Sequence, residues 1–547
     1  MEIMLTDAAT GTPHFFPPRE IAKVAGNLAQ HPGRVLRRMG SLGTALARIA
    51  AGGSDLEPAR SDRRFADPAW GNWMFRRLLQ SYLAVGSTVD ELVSDAGVDW
   101  RTERQVRLAA SNLVDGLAPT NFPLTNPAVL KETVDRGGAN FIDGARNFVR
   151  DMSHPPRLPA TVDTSKFEVG GNLAATRGAV VLRTEVFELI QYGAQTESVR
   201  EVPLLLVPPT INKYYVLDLA PDRSMVEYFV RQGQQVFMIS WRNPTKEQRD
   251  FDFDTYAGAV LEARDAVAEI AGSRSVHACA ACSGGLVAAG AVNHVASTGD
   301  ASTVASLTLL VCAIDNGQAG TVSALTSREI AAAAIAESAR KGYLDGRALQ
   351  GVFTWLRPND LVWSYVVNNY LLGKEPPAFD ILYWNQDSVR LAAGLHRDFI
   401  RIAMDNSMVR AGGFTTLGTP IDLSTVDVDV YAVAGLTDHI VPWENAYRSV
   451  QLFGGASRFV LSTSGHIQAL VNPPGPTSRA SYRVSDDVSA TAEDFLERTG
   501  TAPGSWWSDY DSWLDQRSGP RKPAPSHLGS ARFGVLGKAP GTYVLVD

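Results

Sequence analysis

The stretch Ser275-Val-His-Ala-Cys-Ala-Ala-Cys-Ser-Gly-Gly-Leu286 decides how the chain is read. Up to Ala281 it has the apolar character of a buried strand. From Leu286 onward Leu-Val-Ala-Ala-Gly-Ala-Val reads as a closely packed helix. Between them lies Cys-Ser-Gly-Gly, a turn of small residues. Strand, sharp turn with a nucleophile, and helix together make a nucleophile elbow. The helix N-terminus there lends free N–H groups and partial positive charge to the reacting centre. The G-x-S-x-G spacing fits in two ways. Cys282 is flanked by Ala280 and Gly284, Ser283 by Ala281 and Gly285, each with Ala replacing the first Gly. A Gly-rich packing turn without chemistry shows the same pattern, so the rest of the chain must decide.

Composition narrows the field. At 547 residues and 59.0 kDa the chain exceeds one ordinary domain. A hydrophobic fraction of 45% against 20% charged supports a sizeable core. A net charge of -7 gives no reason to expect nucleic-acid binding. Three cysteines, Cys279, Cys282 and Cys312, cannot build a disulfide framework and suit a reducing cytoplasm. Cys279 and Cys282 form a Cys-x-x-Cys, but a thioredoxin-like role needs that motif at a helix start in a much smaller domain. No signal peptide or membrane span is expected: the opening carries Glu2 and Asp7, and the long uncharged stretch around the elbow is broken by Gly, Ser, His and Asn.

In chain order, residues 1–18 read as loose. Residues 19–52 read as helix interrupted at His31-Pro32-Gly33, with six basic residues against Glu20 alone. That charge marks either a solvated face or an amphipathic contact with an apolar surface or partner. Trp70 and Trp73 suggest a docking segment. Helical patterns continue to about Met152, and Pro155, Pro156 and Pro159 mark a boundary. The pattern therefore divides the chain into a mostly helical region, 1–160, and a larger unit, 161–547. In the second unit strands at 179–183, 187–192, 202–207, 235–241, 304–314, 426–434 and 458–462 alternate with helices, which predicts a parallel sheet. Roughly 105 residues, 320–425, interrupt the alternation; that is too long for a loop and reads as an inserted helical, aromatic-rich cap. A Pro/Gly-rich tail follows from about 520.

An activated nucleophile needs a base, and the base an orienting acid. In α/β-hydrolases these follow the nucleophile in the order acid, histidine. Asp438 follows a strand in Gly435-Leu-Thr-Asp-His439, and His466 follows the next in Ser464-Gly-His-Ile467. Both sit beyond carboxyl ends of strands, where open α/β sheets place their sites. Of the nine histidines only His439 and His466 lie just after a late strand, and His439 adjoins the acid as a site-lining residue. Asp315 is a rival acid. The fold expected is an α/β-hydrolase fold with an inserted cap. One oxyanion donor is the backbone N–H after the nucleophile; the second comes from the loop after Val207-Pro-Pro209, at Thr210 or Ile211.

With these residues assembled, nearly the whole chain resembles the polyhydroxyalkanoate synthases. The resemblance is carried by Asp62-Arg-Arg-Phe65, Pro119-Thr-Asn121, Pro208-Pro-Thr-Ile-Asn-Lys-Tyr-Tyr215, Ser240-Trp-Arg-Asn-Pro244, Leu356-Arg-Pro-Asn-Asp360, Trp363, Asn368-Asn-Tyr-Leu371, Gly435-Leu-Thr-Asp-His439, Ser464-Gly-His-Ile467 and Asn472-Pro-Pro-Gly475. Among the single-subunit branches, classes I and II, it looks most like class II, which implies medium-chain units. The family's lipase-like box implies Cys282, rather than Ser283, as nucleophile, and its acid and base map onto Asp438 and His466. With Cys282 as nucleophile, the elbow geometry above puts the backbone donors at Ser283 and Ile211. The substrate implied is an (R)-3-hydroxyacyl-CoA, and no cofactor or metal is expected. Implied partners are the growing polyhydroxyalkanoate chain, the cytoplasmic granule surface with its associated proteins, and a second copy in an active homodimer. The helical region, 1–160, would serve granule association or dimerisation. Rival readings are a Cys-type hydrolase or thioesterase on the same fold, and a non-catalytic granule-surface protein.

Overall fold

Strands between Gly178 and Lys538 assemble into one eleven-stranded sheet. The computed structural model describes residues 17–59, 62–154, 157–317, 328–348, 354–355, 357–476 and 478–546; the opening residues 1–16 and the pair Pro155-Pro156 lie outside them. The sheet strands are β1 (Gly178–Arg183), β2 (Phe187–Tyr192), β3 (Leu204–Val207), β4 (Val236–Trp241), β5 (Val276–Ala281), β6 (Val304–Leu310), β7 (Val430–Gly435), β8 (Ser457–Ser462), β9 (Ser481–Ser485), β10 (Ala502–Pro503) and β11 (Gly537–Lys538). Their order in space is β10-β9-β8-β7-β6-β5-β3-β4-β2-β1-β11. The run from β4 to β8 is parallel, as the alternation predicts. The margins depart from it: β1, β2, β9, β10 and β11 pair antiparallel.

Both faces of the central strands are covered, which explains their unbroken apolar runs. Leu205, Val207, Ala278 and Ala280 point into one core, and Leu204, Leu206, Cys279 and Ala281 into the other. Helices Phe253–Ala271 and Ser283–Thr298 fill the first. The second is closed by Trp506–Asp515, an aromatic helix whose Trp506, Trp507 and Tyr510 are fully buried. Strand β6 stops at Leu310 rather than continuing to Ile314. Val311 takes φ +45°, so the chain leaves the sheet and carries Val311, Cys312 and Ala313 over the end of β5.

Before the sheet, the described residues form six α-helices: α1 (Pro18–Gln30), α2 (Pro32–Ala50), α3 (Trp73–Asp95), α4 (Trp100–Gly116), α5 (Pro127–Asp135) and α6 (Ala139–Met152). Pro32 opens α2, where its missing N–H costs nothing. Part of the basic charge in this region is internal: Arg38 forks onto Asp95 and Glu91, and Arg34 donates to the Asp95 carbonyl, tying α2 to α3. Trp70 is also internal, edge-on to Phe65 at 4.9 Å, whereas Trp73 is 69% exposed.

The segment between β6 and β7 divides its work. Its later part, from Leu391 through helix Ala393–Asp405 to Leu423, buries Leu395, Phe399, Ile400 and Ile421 in the sheet's own core. Its middle part, residues 357–386, overlies the ends of the parallel strands. Here the chain forms two π-helical turns, Asn359–Trp363 and Val366–Leu371. Their aromatic side chains face the N-terminal helices: Trp363 lies against Gly116, and Tyr370 meets Phe148 edge-on at 5.3 Å. Helix α6 seals the seam with side-chain amides. Asn140 Nδ2 donates to Leu371 O at 2.8 Å, and Asn147 Nδ2 to Asn369 O and Lys374 O at 3.1 Å. Tyr370 Oη donates to Asp151 at 3.0 Å.

Gly144 sits at the closest point of this seam, where a Cβ would fall 1.9 Å from Tyr370 O. Gly144→Val is therefore expected to destabilise the protein by about 1–3 kcal/mol, the usual range for overpacking, and to open the chain between α6 and β1 to limited proteolysis. An unchanged melting midpoint and cleavage pattern would show that the seam is not a close contact in solution.

Candidate active site

The elbow forms as the sequence pattern requires. Cys282 is held at φ +49°, ψ −121° between β5 and the helix Ser283–Thr298, and its N–H donates to Leu310 O at 2.8 Å. Such a backbone is unfavourable for an L-residue and persists only where its surroundings over-determine it. The neighbours show how. A Cβ on Gly284 would lie 2.4 Å from Pro208 O, and one on Gly285 would lie 2.6 Å from Cys312 Sγ. Only glycine lets the helix start this close to the β3 loop and to Cys312.

The two candidate nucleophiles are placed differently. Ser283 is fully buried, and its Oγ accepts from Thr210 N at 2.9 Å and bonds Thr210 Oγ1 at 3.0 Å. Cys282 is half-buried and lines a cavity of about 310 Å³ together with His466. The remaining wall is largely apolar, with Leu286, Val311, Leu361, Ile381, Trp384 and Ile440 among its residues. Among the described residues Trp384 is the one Phe, Tyr or Trp side chain in these walls, so their apolar part is mainly aliphatic.

Strand ends bring the other residues together. Asp438 follows β7 and His466 follows β8, in parallel register beside β6 and β5. Asp438 Oδ2 is 2.6 Å from His466 Nδ1. Its Oδ1 accepts from Ile440 N at 2.8 Å and Val441 N at 2.9 Å, which fixes the carboxylate and hence the ring. With Nδ1 engaged, Nε2 is left for the cavity. Burial disfavours charge on His466, but Asp438 and then Cys282 outweigh it and raise the pKa to about 10. The imidazolium is thus held between a carboxylate and a sulfur. His439 lines the same cavity; burial, and then Arg357, push its pKa down to about 4, so it is neutral at pH 7.

The rival acid is engaged elsewhere. Asp315 Oδ2 pairs with Arg448 Nε at 2.9 Å, and its Oδ1 accepts from Asn406 Nδ2 at 3.0 Å. Of the two residues expected on the β3 loop, Thr210 has its N–H committed to Ser283, whereas Ile211 lines the cavity. Sequence reasoning missed Val311 and Cys312 as cavity walls because it extended β6 through them. It also left Lys213, within a quoted motif, without a role. Among the described residues no group of His, Cys, Asp and Glu is arranged to hold a metal ion, and no helix is long and apolar enough to cross a membrane.

Comparisons with known proteins agree in one direction. The family model for the N-terminus of poly-beta-hydroxybutyrate polymerase (PhaC) matches residues 61–229, and that of the alpha/beta hydrolase fold matches residues 203–473. The chain is 42% identical to poly(3-hydroxyalkanoate) polymerase 1 of Ectopseudomonas oleovorans, over 93% of this chain and 90% of that protein. It is equally similar, at 42%, to polymerase 2 of the same organism, over 96% and 94%. The poly(3-hydroxyalkanoate) polymerase subunit PhaC of Cupriavidus necator is 36% identical over 91% and 85%.

The raised pKa of His466 has a thermodynamic consequence. A folded pKa near 10, above an unfolded value of about 6.5, contributes stability that is complete below pH 6.5 and is lost as pH rises towards 10. Between those limits this one group contributes a slope of up to about 1.4 kcal/mol per pH unit. Thermal unfolding followed from pH 6.5 to 10 is expected to fall more steeply in the wild type than in His466→Gln. Parallel curves would contradict the charge state assigned to the ring.

Proposed function

Given that this chain belongs to the poly(3-hydroxyalkanoate) polymerase family, we propose that it lengthens a polyester on Cys282 from (R)-3-hydroxyacyl-CoA, releasing CoA. The protein is an acyltransferase with an α/β-hydrolase fold. The observation that carries the finer reading is the cysteine in a largely apolar cavity beside a histidine locked onto a buried aspartate.

In this mechanism His466 Nε2 holds the proton taken from the Cys282 thiol, and Asp438 stabilises the resulting imidazolium. The thiolate attacks the thioester carbonyl of the substrate. The N–H groups of Ser283 and Ile211 receive the developing oxyanion, a role in which preorganised donors contribute most. The carbon–sulfur bond to CoA breaks, and the departing thiolate takes the proton from His466. One thioester has replaced another, with little change in bond energy. The neutral ring then accepts the proton of the 3-hydroxyl of an incoming unit. The alkoxide attacks the enzyme-bound acyl group: an ester bond forms, the carbon–sulfur bond to Cys282 breaks, and the departing Cys282 thiolate takes the proton back from His466. The chain, lengthened by one unit and now a CoA thioester, acylates Cys282 again as before and releases that CoA. Water would end the chain by hydrolysis, and the aliphatic enclosure formed with residues 357–386 opposes it. That cover has to open for acyl-CoA and for the departing chain, as lids over such sites do.

The same reading places the protein in the cytoplasm on polyester granules. In support, the helical region before residue 155 exposes large apolar side chains in number, among them Leu36, Trp73, Leu124, Val134, Ile142 and Val149. Such a surface suits an apolar polymer or a second copy of the chain.

Purified enzyme supplied with 3-hydroxyacyl-CoAs, with CoA release and polymer mass followed together, tests the proposal. Wild type is expected to release CoA in step with polymer formation. Cys282→Ala should lose at least about 10³-fold in rate. Ser283→Ala should keep measurable activity at a reduced rate, since it loses only the tie to Thr210. Free 3-hydroxy acid without polymer would instead support a thioesterase, and full activity in Cys282→Ala would refute the nucleophile.

A further inference from the structure

The loop from Pro208 to Lys213 has to hold the Ile211 N–H in place, yet it has little regular structure of its own: it is a turn with one isolated bridge, Asn212 to Ser388. Its far end is fixed by an unusual arrangement. The Lys213 side chain is 3% exposed, and its ammonium donates to Val544 O at 2.6 Å and Val546 O at 2.7 Å. A third partner is Asp387, with Oδ1 at 3.7 Å; the other oxygen of that carboxylate accepts from Tyr215 Oη at 2.7 Å. The Lys213 carbonyl receives Trp384 Nε1 at 2.7 Å, from the cover itself.

The segment that supplies the two carbonyls is anchored independently. Glu188, fully buried on β2, accepts from Thr542 N at 2.8 Å and from Thr542 Oγ1 and Tyr543 N at 2.9 Å. Tyr543 Oη donates to Thr184 O at 2.6 Å. Asn243 Nδ2 adds a bond to Val546 O at 3.2 Å, and its Oδ1 accepts from Arg390 N at 2.9 Å. Residues 541–546 thus form a strap held by the sheet at one end and gripping Lys213 at the other. None of them lines the cavity. A buried cation deprived of such partners is strongly unfavourable, so loop and strap hold their positions jointly.

We propose that Lys213 is a positioning residue for the oxyanion donor at Ile211, and that the strap 541–546 acts on catalysis through it. This rests on the acyl-transfer reading above. Placement of the donor is thereby separate from binding of the substrate, because neither Lys213 nor residues 541–546 line the cavity. Loss of the grip lets the loop relax and moves an N–H needed only when charge develops on the carbonyl oxygen. Such a change lowers kcat and leaves KM nearly untouched.

The test uses full-length protein, with active sites counted by thiol alkylation so that rates refer to folded enzyme. Lys213→Met is expected to lower kcat per site about 10- to 100-fold, within the range for loss of an oxyanion donor, with KM for the acyl-CoA changed less than about twofold. Lys213→Arg, which keeps a buried multi-donor cation, should recover part of the loss. Tyr543→Phe removes one anchor of the strap and should fold normally; it is expected to lower kcat a few-fold, again without change in KM. If Lys213→Met yields no countable sites, Tyr543→Phe and Lys213→Arg decide alone. Unchanged kcat per site in these variants, or a rise in KM at constant kcat, would overturn the inference. A wild type that consumes acyl-CoA without forming polymer would overturn the reaction and leave the positioning role standing.

Discussion

Cys282 sits with a positive φ in a place where almost any other arrangement of the chain would be easier. A left-handed backbone at an L-residue costs roughly 1–2 kcal/mol, and much of the surrounding structure serves to make that conformation the only one available. Its N–H is taken by Leu310 at the end of β6. The next turn of helix is drawn against Pro208 by a glycine that tolerates no side chain. Ser283 ties the same turn to Thr210. Val311, a β-branched residue also forced to positive φ, carries the neighbouring strand away from the sheet so that a cavity can open above the thiol. Two strained residues on adjacent strands thus make the room in which the sulfur is exposed, and cores on both faces of the sheet hold them there.

Electrostatics follow from the same placement. The ends of β5, β7 and β8 set sulfur, carboxylate and imidazole in a row, and the two N–H groups after Asp438 fix the carboxylate so that it can fix the ring. A charged ring is costly to bury unless paired on both sides. Here the carboxylate lies on one side and sulfur on the other, which is why burial does not neutralise it. The cover over this group does not stand alone. Its Trp363 and Tyr370 are spent on the seam with α4 and α6, while Leu361, Ile381, Leu382 and Trp384 face the cavity. The cover is thereby tied to the N-terminal helices, and through Trp384 to Lys213 and the strap.

What the sequence reveals follows the range of the interactions involved. The elbow, Asp438 and His466 are legible because each depends on a local pattern: an apolar strand, then a turn that carries chemically suited side chains. The helices before residue 152 are legible for the same reason. The antiparallel margin β9 and β10 is not, since its strands are short, half-buried and lack a continuous apolar run. Nor is the end of β6, because Val311-Cys-Ala-Ile314 has ideal strand composition and only the close approach of Gly285 to Cys312 shows why the chain turns away. The π-helical turns at 359–371 carry no separate periodic signal. Asp315 also follows a strand and is a weaker rival to Asp438 by pattern; its engagement by Arg448 and Asn406, distant in the chain, has no local signature. Lys213 and Val544 are 331 residues apart, and no spacing rule connects them.

The central claim is that the acyl group is carried on the sulfur of Cys282. An acyl-CoA lacking the 3-hydroxyl can acylate the enzyme but offers no alcohol for the next ester bond, so the reaction should halt after one transfer. Rapid acid quench followed by peptide mass spectrometry reads the outcome directly. The account predicts one acyl group per chain, as a hydroxylamine-labile thioester on the peptide containing Cys282, with one equivalent of CoA released. An acyl group on Ser283, or CoA released with no covalent adduct at any time after mixing, would contradict it.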